Sequence, residues 1–110
     1  MIQLKNDELD WKKMDGILPV VAQSADTLEV LTVAYINPEA LQLTLKTGYA
    51  HYYRRSHRQV MMKGVTSGNT QRVERVLTDC DNDAVVYLVH QNGLACHLGE
   101  YTCFHKQVTA

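Results

Sequence analysis

The chain has 110 residues, of which 45% are apolar and 21% charged, as expected for a single globular domain. A formal net charge of −1 excludes general electrostatic attraction to nucleic acid or to anionic membranes. No apolar run is long enough to span a bilayer, and the polar N-terminus lacks the apolar centre of a signal peptide. We therefore expect one domain over 1–110, located in the cytoplasm. A small domain often completes its site with a second copy, which makes a homodimer plausible.

The N-terminal part of the chain predicts a β-hairpin. Residues 17–22 (ILPVVA) and 28–35 (LEVLTVAY) are β-rich runs, and the turn-prone residues 24–27 separate them. A short helix could precede the hairpin near the N-terminus.

A helix with clear end signals follows the hairpin. Asn37 is a good N-cap, Pro38 suits the first helical position, and Gly48 is a typical stop, so the helix should run to about Thr47. Spacing of apolar residues predicts that its buried face consists of Ala40, Leu41, Leu43 and Leu45.

The second half of the chain predicts more strands. Residues 50–56 (AHYYRRS), 71–80 (QRVERVLTDC) and 83–91 (DAVVYLVHQ) are rich in β-forming residues, with the valines and Leu88 expected to pack inward. Residues 63–69 form a glycine-containing loop, and the tail from Asn92 is irregular. The fold class is therefore α+β and β-rich, with a mainly antiparallel sheet and one or two short helices.

The three cysteines, Cys80, Cys96 and Cys103, come from separate segments and form no CxxC pair. Three thiolates on one zinc ion would leave an open position for water, which is typical of a catalytic site. The alternative is that they are small buried apolar residues. His97 could be a fourth ligand or a nearby general base, and its alternation with Cys96 on extended backbone favours the base.

Three aspartates surround the first cysteine at every second position. On extended backbone Asp79, Asp81 and Asp83 would share one face and Cys80 the other. Clustered carboxylates repel each other unless a cation lies among them, and Mg²⁺ prefers such oxygen ligands. The alternative is an acidic turn exposed to water.

The loop KGVTSGN at 63–69 has the features of a phosphate site. Its glycines allow backbone N–H groups to approach an anion, and Lys63, Thr66 and Ser67 can donate hydrogen bonds. A basic cluster that could also contact phosphate precedes the loop: Arg54, Arg55, Ser56, His57 and Arg58. The alternative is an ordinary hairpin loop beside a solvated strand.

Taken together, these segments resemble the phosphoribosyl-AMP cyclohydrolase family of histidine biosynthesis. The resemblance extends over nearly the whole chain. It rests on MDGILP at 14–19, EVLTVAYINPEAL at 29–41, the YYRRS strand, KGVTSGN, DCDND, QNGLACHLG and TCF.

The resemblance implies an intertwined homodimer with active sites at the subunit interface. It implies zinc on Cys80, Cys96 and Cys103, with the set completed across that interface, and magnesium on Asp79, Asp81 and Asp83. The implied reaction is hydrolysis of the N1–C6 bond of the adenine ring in 1-(5-phosphoribosyl)-AMP. His97 is the first candidate for proton transfer and His51 the second. The candidate substrate-binding residues are Arg55, Ser56, Lys63, Thr66, Ser67, Gly68 and Asn69.

The chain departs from the usual family pattern around the phosphate loop. Val65 stands in place of a glutamate, Met61 in place of a tryptophan, and Leu98 in place of Thr or Lys. Two other functions therefore remain open: a diverged relative that binds zinc and a nucleotide without turnover, and an interaction domain with buried cysteines.

Overall fold

The polypeptide forms a four-stranded sheet, a two-stranded sheet and one α-helix in a computed structural model that describes residues 1–110. The elements are β1 (Leu18–Ser24), β2 (Val30–Ile36), α1 (Pro38–Thr47), β3 (His51–Arg54), β4 (Gln59–Met62), β5 (Gln71–Thr78) and β6 (Val85–Gln91). The predicted α+β class is confirmed.

The larger sheet has the strand order β2-β1-β6-β5 and is mixed. The predicted hairpin is confirmed, because β1 and β2 pair antiparallel with Leu18 opposite Ile36. β5 and β6 also pair antiparallel, but β1 and β6 are parallel, with Val20 opposite Val85. The sheet is thus antiparallel except at its centre, where the first and last strands meet.

The helix begins and ends where the sequence predicts. The Asn37 side chain accepts a hydrogen bond from the backbone N–H of Ala40 at 2.8 Å, and Gly48 ends the helix in the left-handed region at φ 81°. Its buried residues are Ala40, Leu41 and Thr44. The predicted burial of Leu45 is wrong: this side chain is 55% exposed, because Thr44 takes the inward position.

The inward position of Thr44 is fixed by hydrogen bonds. Its hydroxyl donates to the carbonyl oxygen of Ala40 and accepts from the backbone N–H of His51, both at 2.9 Å. The helix is thereby tied to the start of β3, which carries one of the candidate catalytic histidines.

The segment 50–56 pairs with a strand that the sequence does not reveal. Only His51–Arg54 is extended, and it pairs antiparallel with β4 through the turn 55–58. β4 is half-exposed, and its sequence QVMM has neither alternation nor a turn signal. This small hairpin packs against β2 and α1.

The core lies between one face of the large sheet and the layer formed by α1 and β3. The inward residues alternate along β1 and β6, where Val85, Tyr87 and Val89 are buried. The prediction that Val86 and Leu88 also pack inward is wrong, because the alternation places both on the outer face. That outer face carries a further set of half-exposed apolar side chains: Val21, Val33, Val86 and Leu88.

The N-terminal residues form two short 3-10 turns, at Asn6–Glu8 and Lys12–Met14, and no second α-helix. Neither these turns nor the ten-residue α1 has the length and apolar character of a membrane-spanning helix. The tail from Asn92 has no regular secondary structure, as predicted.

Candidate metal and substrate site

The three aspartates lie in a tight turn between β5 and β6. β5 ends at Thr78, and the backbone N–H of Asn82, at φ 63°, donates to the carbonyl oxygen of Asp79 at 3.2 Å. The predicted extended backbone across Asp79–Asp83 is therefore wrong. The turn still brings one carboxylate oxygen of each aspartate within 4.8 Å of the others, in the only such cluster of His, Cys, Asp or Glu ligands.

A lysine that the sequence does not point to lies against this cluster. The Lys13 ammonium is 2.7 Å from an Asp83 oxygen and 3.3 Å from an Asp81 oxygen. The hydrogen bond from Lys13 lowers the pKa of Asp83, whereas the hydrogen bond with Asp83 raises the pKa of Asp81. The bonds to Asp83 and Asp81 also raise the pKa of Lys13. Three clustered carboxylate oxygens, two of which already attract one cation, have the charge and hardness that fit Mg²⁺.

The three cysteines are all free thiols, and one chain does not bring them together. Cys80 is exposed in the aspartate turn, beside the edge strand β5. Cys103 is exposed at the opposite edge, where its backbone N–H donates to the carbonyl oxygen of Leu31 in β2 at 2.7 Å. Three strand spacings separate these edges, which is about 14 Å. The three sulfurs of one chain are therefore too far apart to contact a single metal ion together.

The third cysteine, Cys96, is buried in a turn of the C-terminal tail. Its Sγ accepts a hydrogen bond from the backbone N–H of Leu98 at 3.4 Å, and its other polar neighbour is the Nε2 atom of His105 at 3.8 Å. An N–H donor and an imidazole beside the sulfur are more typical of a metal-binding thiolate than of a cysteine packed in an apolar core. Sequence reasoning missed His105, although its spacing of two residues from Cys103 was a signal.

The two candidate catalytic histidines differ in how they are held. His97 is exposed in the tail. His51 is 9% exposed at the start of β3, and its Nδ1 lies 2.8 Å from the carbonyl oxygen of Tyr49. A carbonyl only accepts, so Nδ1 carries the proton and Nε2 of the neutral ring has a free lone pair.

The loop 63–69 packs tightly on the tail. The Lys63 ammonium donates to the carbonyl oxygen of Ala95 at 2.8 Å, beside Cys96. Gly64 has φ 81°, and a Cβ there would clash with the backbone of Asn69 and Thr70. Lys63 therefore joins the loop to the cysteine turn, while Thr66 and Ser67 remain exposed at the loop surface.

A series of hydrogen-bonded polar side chains connects this loop to the strands beside it. The Tyr52 hydroxyl donates to the Gln71 side-chain oxygen at 2.5 Å, and the Gln71 amide donates to Gln91 at 2.8 Å. The Gln91 amide in turn donates to the carbonyl oxygen of Asn69 at 3.3 Å. The orientation of the loop is thus coupled to β3, β5 and β6.

The basic residues lie on the turn between β3 and β4. The Arg55 guanidinium stacks 3.8 Å above the Tyr35 ring, which holds it against β2. The Ser56 hydroxyl is 2.9 Å from Nδ1 of His57, and both residues are exposed. A phosphate could reach this turn from solvent.

A cleft of about 790 Å³ opens beside Asp79 and Cys80. Residues 1–6 form one wall, and α1 and β5 form the others. The cleft joins the aspartate turn to an apolar surface, but the loop 63–69 does not line it. In a single chain the candidate magnesium residues and the candidate phosphate loop therefore belong to different surfaces.

Comparison with known proteins gives consistent matches. A sequence model of the family described as phosphoribosyl-AMP cyclohydrolase matches residues 32–105. The phosphoribosyl-AMP cyclohydrolase of Cenarchaeum symbiosum is 51% identical over 107 residues, covering 97% of this chain and 99% of that protein. Its counterpart in Nitrosopumilus maritimus is 49% identical over 102 residues, covering 93% of this chain and 94% of the relative. The protein of that name in Archaeoglobus fulgidus is 54% identical over 93 residues, covering 84% and 86%. The matched range contains all the cysteines and the aspartates of the turn, whereas Lys13 lies outside it.

Proposed function

The chain belongs to the phosphoribosyl-AMP cyclohydrolase family, and we propose that it hydrolyses 1-(5-phosphoribosyl)-AMP in histidine biosynthesis. In this reaction a water oxygen bonds to C6 of the adenine ring and the N1–C6 bond breaks. N1 gains a proton and C6 becomes a carboxamide, so the product is the formimino carboxamide ribonucleotide.

Two metal ions fit the donor sets described above. Asp79, Asp81 and Asp83 would hold magnesium, because their oxygens already lie together. Cys80, Cys96 and Cys103 would hold zinc, for which thiolates are suitable ligands. When bound, zinc would supply a water of lowered pKa for attack on C6, and magnesium would offset phosphate charge.

Protons are moved by the two histidines in this proposal. His97 is exposed next to Cys96 and can exchange protons with solvent. His51 offers a free Nε2 lone pair, held in one orientation by its bond to the carbonyl oxygen of Tyr49. We assign His97 as the main proton carrier and His51 as the second. If His97→Ala retains zinc and loses turnover, the assignment of His97 holds; loss of zinc would make it a ligand instead.

The phosphates of the substrate contact the loop 63–69 and the basic turn. Thr66 and Ser67 donate hydroxyl hydrogens, and the backbone at Gly68 and Asn69 can approach an oxygen closely. Arg55 and Ser56 add a charge and a donor from the basic turn. Lys63 contributes charge while its bond to Ala95 keeps the loop beside the cysteine turn.

We further propose that the active protein is a homodimer with shared sites. The observation that supports it is the position of Cys80 and Cys103 at opposite edges of one sheet. A second copy would bring its own Cys80 to the Cys96 and Cys103 of the first. It would also bring the aspartate turn of one chain to the phosphate loop of the other.

Turnover of 1-(5-phosphoribosyl)-AMP, followed by ultraviolet absorbance, tests the proposed function. Activity should disappear after chelation and return only when zinc and magnesium are both added. Full zinc occupancy without turnover would instead favour a nucleotide-binding relative, in line with Val65 in place of the family's usual glutamate.

A further inference from the structure

The most informative unassigned contact of the chain is the one between Cys96 and His105. The Nε2 atom of His105 lies 3.8 Å from the Cys96 sulfur, and the backbone N–H of Leu98 donates to the same sulfur at 3.4 Å. His105 has no role in the function proposed above.

The separation of these two atoms matches that of two ligands on one zinc ion. With Zn–S near 2.3 Å, Zn–N near 2.0–2.1 Å and a tetrahedral angle, the sulfur and nitrogen are about 3.6 Å apart. A direct hydrogen bond between a thiol and an imidazole would give a similar distance, so an experiment has to separate the two.

Both partners are held by backbone contacts that do not depend on a metal. The Cys96 turn is closed by the N–H of Cys96 donating to Glu100 at 3.0 Å and the N–H of Gly99 donating to Cys96 at 3.1 Å. The segment before His105 is fixed to β2 by the Thr102 hydroxyl, which donates to the carbonyl oxygen of Val30 at 2.6 Å. The fold itself therefore brings His105 to Cys96.

We propose that His105 is a nitrogen ligand of the zinc site and binds through Nε2 in the substrate-free protein. The proposal rests on the zinc site proposed above. With Cys80, Cys96 and Cys103 it gives a complete set of four ligands, the number that tetrahedral zinc requires. Because His105 is exposed, it could leave a bound zinc ion without disturbing the core, which would free a position for water.

The metal-binding behaviour of the full-length protein tests this role. Chelated protein is titrated with Co²⁺, whose visible spectrum reports ligand number and type, and with Zn²⁺ against a chromophoric chelator. His105→Gln should change the Co²⁺ spectrum and weaken zinc binding at least about tenfold. In His105→Gly, added imidazole should restore the wild-type spectrum, because it can take the vacated position.

Two matched histidine variants serve as controls. His97→Gln alters the neighbour of Cys96, and His57→Gln alters an exposed histidine whose ring contacts Ser56. Both should keep the wild-type spectrum.

An unchanged spectrum and zinc affinity in His105→Gln would overturn the proposal while leaving the zinc site intact. A changed spectrum in His105→Gly that imidazole does not restore would also overturn it. Absence of zinc binding by the wild type would overturn both this proposal and the proposed zinc site.

Discussion

Among single residues, Lys13 shows how a cluster of carboxylates in a turn can be stabilised. Asp79, Asp81 and Asp83 bring three carboxylates together, and the Lys13 ammonium offsets part of their repulsion. The same ammonium would compete with a divalent cation for the same oxygens. Lys13 is therefore a counter-ion of the aspartate turn, supplied from a segment 68 residues away from Asp81 in sequence.

The first prediction concerns this competition. Lys13→Met should strengthen Mg²⁺ binding by about two- to fivefold, because the aspartates lose a competing cation that is exposed and screened by solvent. Isothermal titration with Mg²⁺ at low salt measures the change, which should shrink at high salt. Lys12→Met is the control, since Lys12 belongs to the same 3-10 turn but makes no ion pair with the aspartates. Weaker binding in Lys13→Met would show that Lys13 shapes the turn instead.

The second prediction concerns the buried hydroxyl of Tyr87. It donates to the carbonyl oxygen of His51 at 3.2 Å and lies 3.2 Å from the Thr44 hydroxyl. Tyr87→Phe leaves a buried acceptor unpaired, so the free energy of unfolding at pH 7 should fall by about 1–3 kcal/mol. Tyr53→Phe is the control, because Tyr53 is only half-buried on β3. Urea denaturation measures both variants, and an equal loss in the two would contradict the prediction.

The same tyrosine makes stability depend on alkaline pH. Burial raises the pKa of Tyr87, so the folded state keeps its proton where the unfolded tyrosine, with a pKa of about 10, loses it. A raised folded pKa leaves the stability unaffected below about pH 10 and reduces it as the pH rises further. Tyr87→Phe should therefore lose less stability than the wild type between pH 9 and about pH 11. Parallel pH curves for the two proteins would exclude this role.

At the scale of elements, the loop 63–69 depends on a glycine at which the two ends of the loop come into close contact. Gly64 and Gly48 both have φ 81°, but a Cβ at Gly48 meets no atom within 4 Å, whereas one at Gly64 meets the backbone of Asn69 and Thr70. Alanine substitutions at these two glycines therefore distinguish the destabilisation caused by a left-handed backbone from that caused by a steric clash.

The third prediction uses this pair. Gly48→Ala should destabilise the fold by about 1 kcal/mol and leave the KM for substrate unchanged, because only the backbone conformation is strained. Gly64→Ala should destabilise it further and raise KM, since the backbone at Asn69 and Thr70 must move away from the new Cβ and distort the loop. Thermal unfolding and steady-state kinetics measure the two effects. Equal changes in stability and KM for both variants would show that the loop has no special role.

Elements with local signals are the ones that the sequence predicts. The cap at Asn37 and the stop at Gly48 act within a few residues, and both helix ends are where they were expected. The extended backbone predicted across the aspartates is wrong, and the alternative of an acidic turn is what the structure has, because the positive φ of Asn82 closes a turn that alternation of residue types does not reveal.

Contacts between distant segments were not predictable from the sequence. The parallel pairing of β1 with β6 and the strand β4 depend on tertiary packing, and neither leaves a local pattern. For the same reason the sequence identified the cysteines and aspartates as residue types but gave no sign of Lys13 beside the aspartates.

At the scale of the whole molecule, two features support the proposed homodimer. The outer face of the large sheet exposes contiguous apolar residues, including Val33, which is 48% exposed. Cys80 lies at the edge strand β5, and Cys103 is bonded to the edge strand β2. A second chain would cover the apolar outer face. It would also bring its own Cys80 to the Cys103 of the first chain.

The last prediction tests whether sites are shared between chains. Cys80→Ser and Cys103→Ser should each abolish activity and zinc retention, because each homodimer lacks one ligand at every site. When the two variants are unfolded together and refolded, about half of the dimers are heterodimers. If the ligands of a site come from different chains, each heterodimer has one fully wild-type site. Activity and zinc content should then recover to about a quarter of the wild-type values. If each chain formed its own site, every site would remain defective, so the mixture would stay inactive. The same procedure with Cys96→Ser and Cys103→Ser is the control, since those residues are assigned to the same chain and should give no recovery.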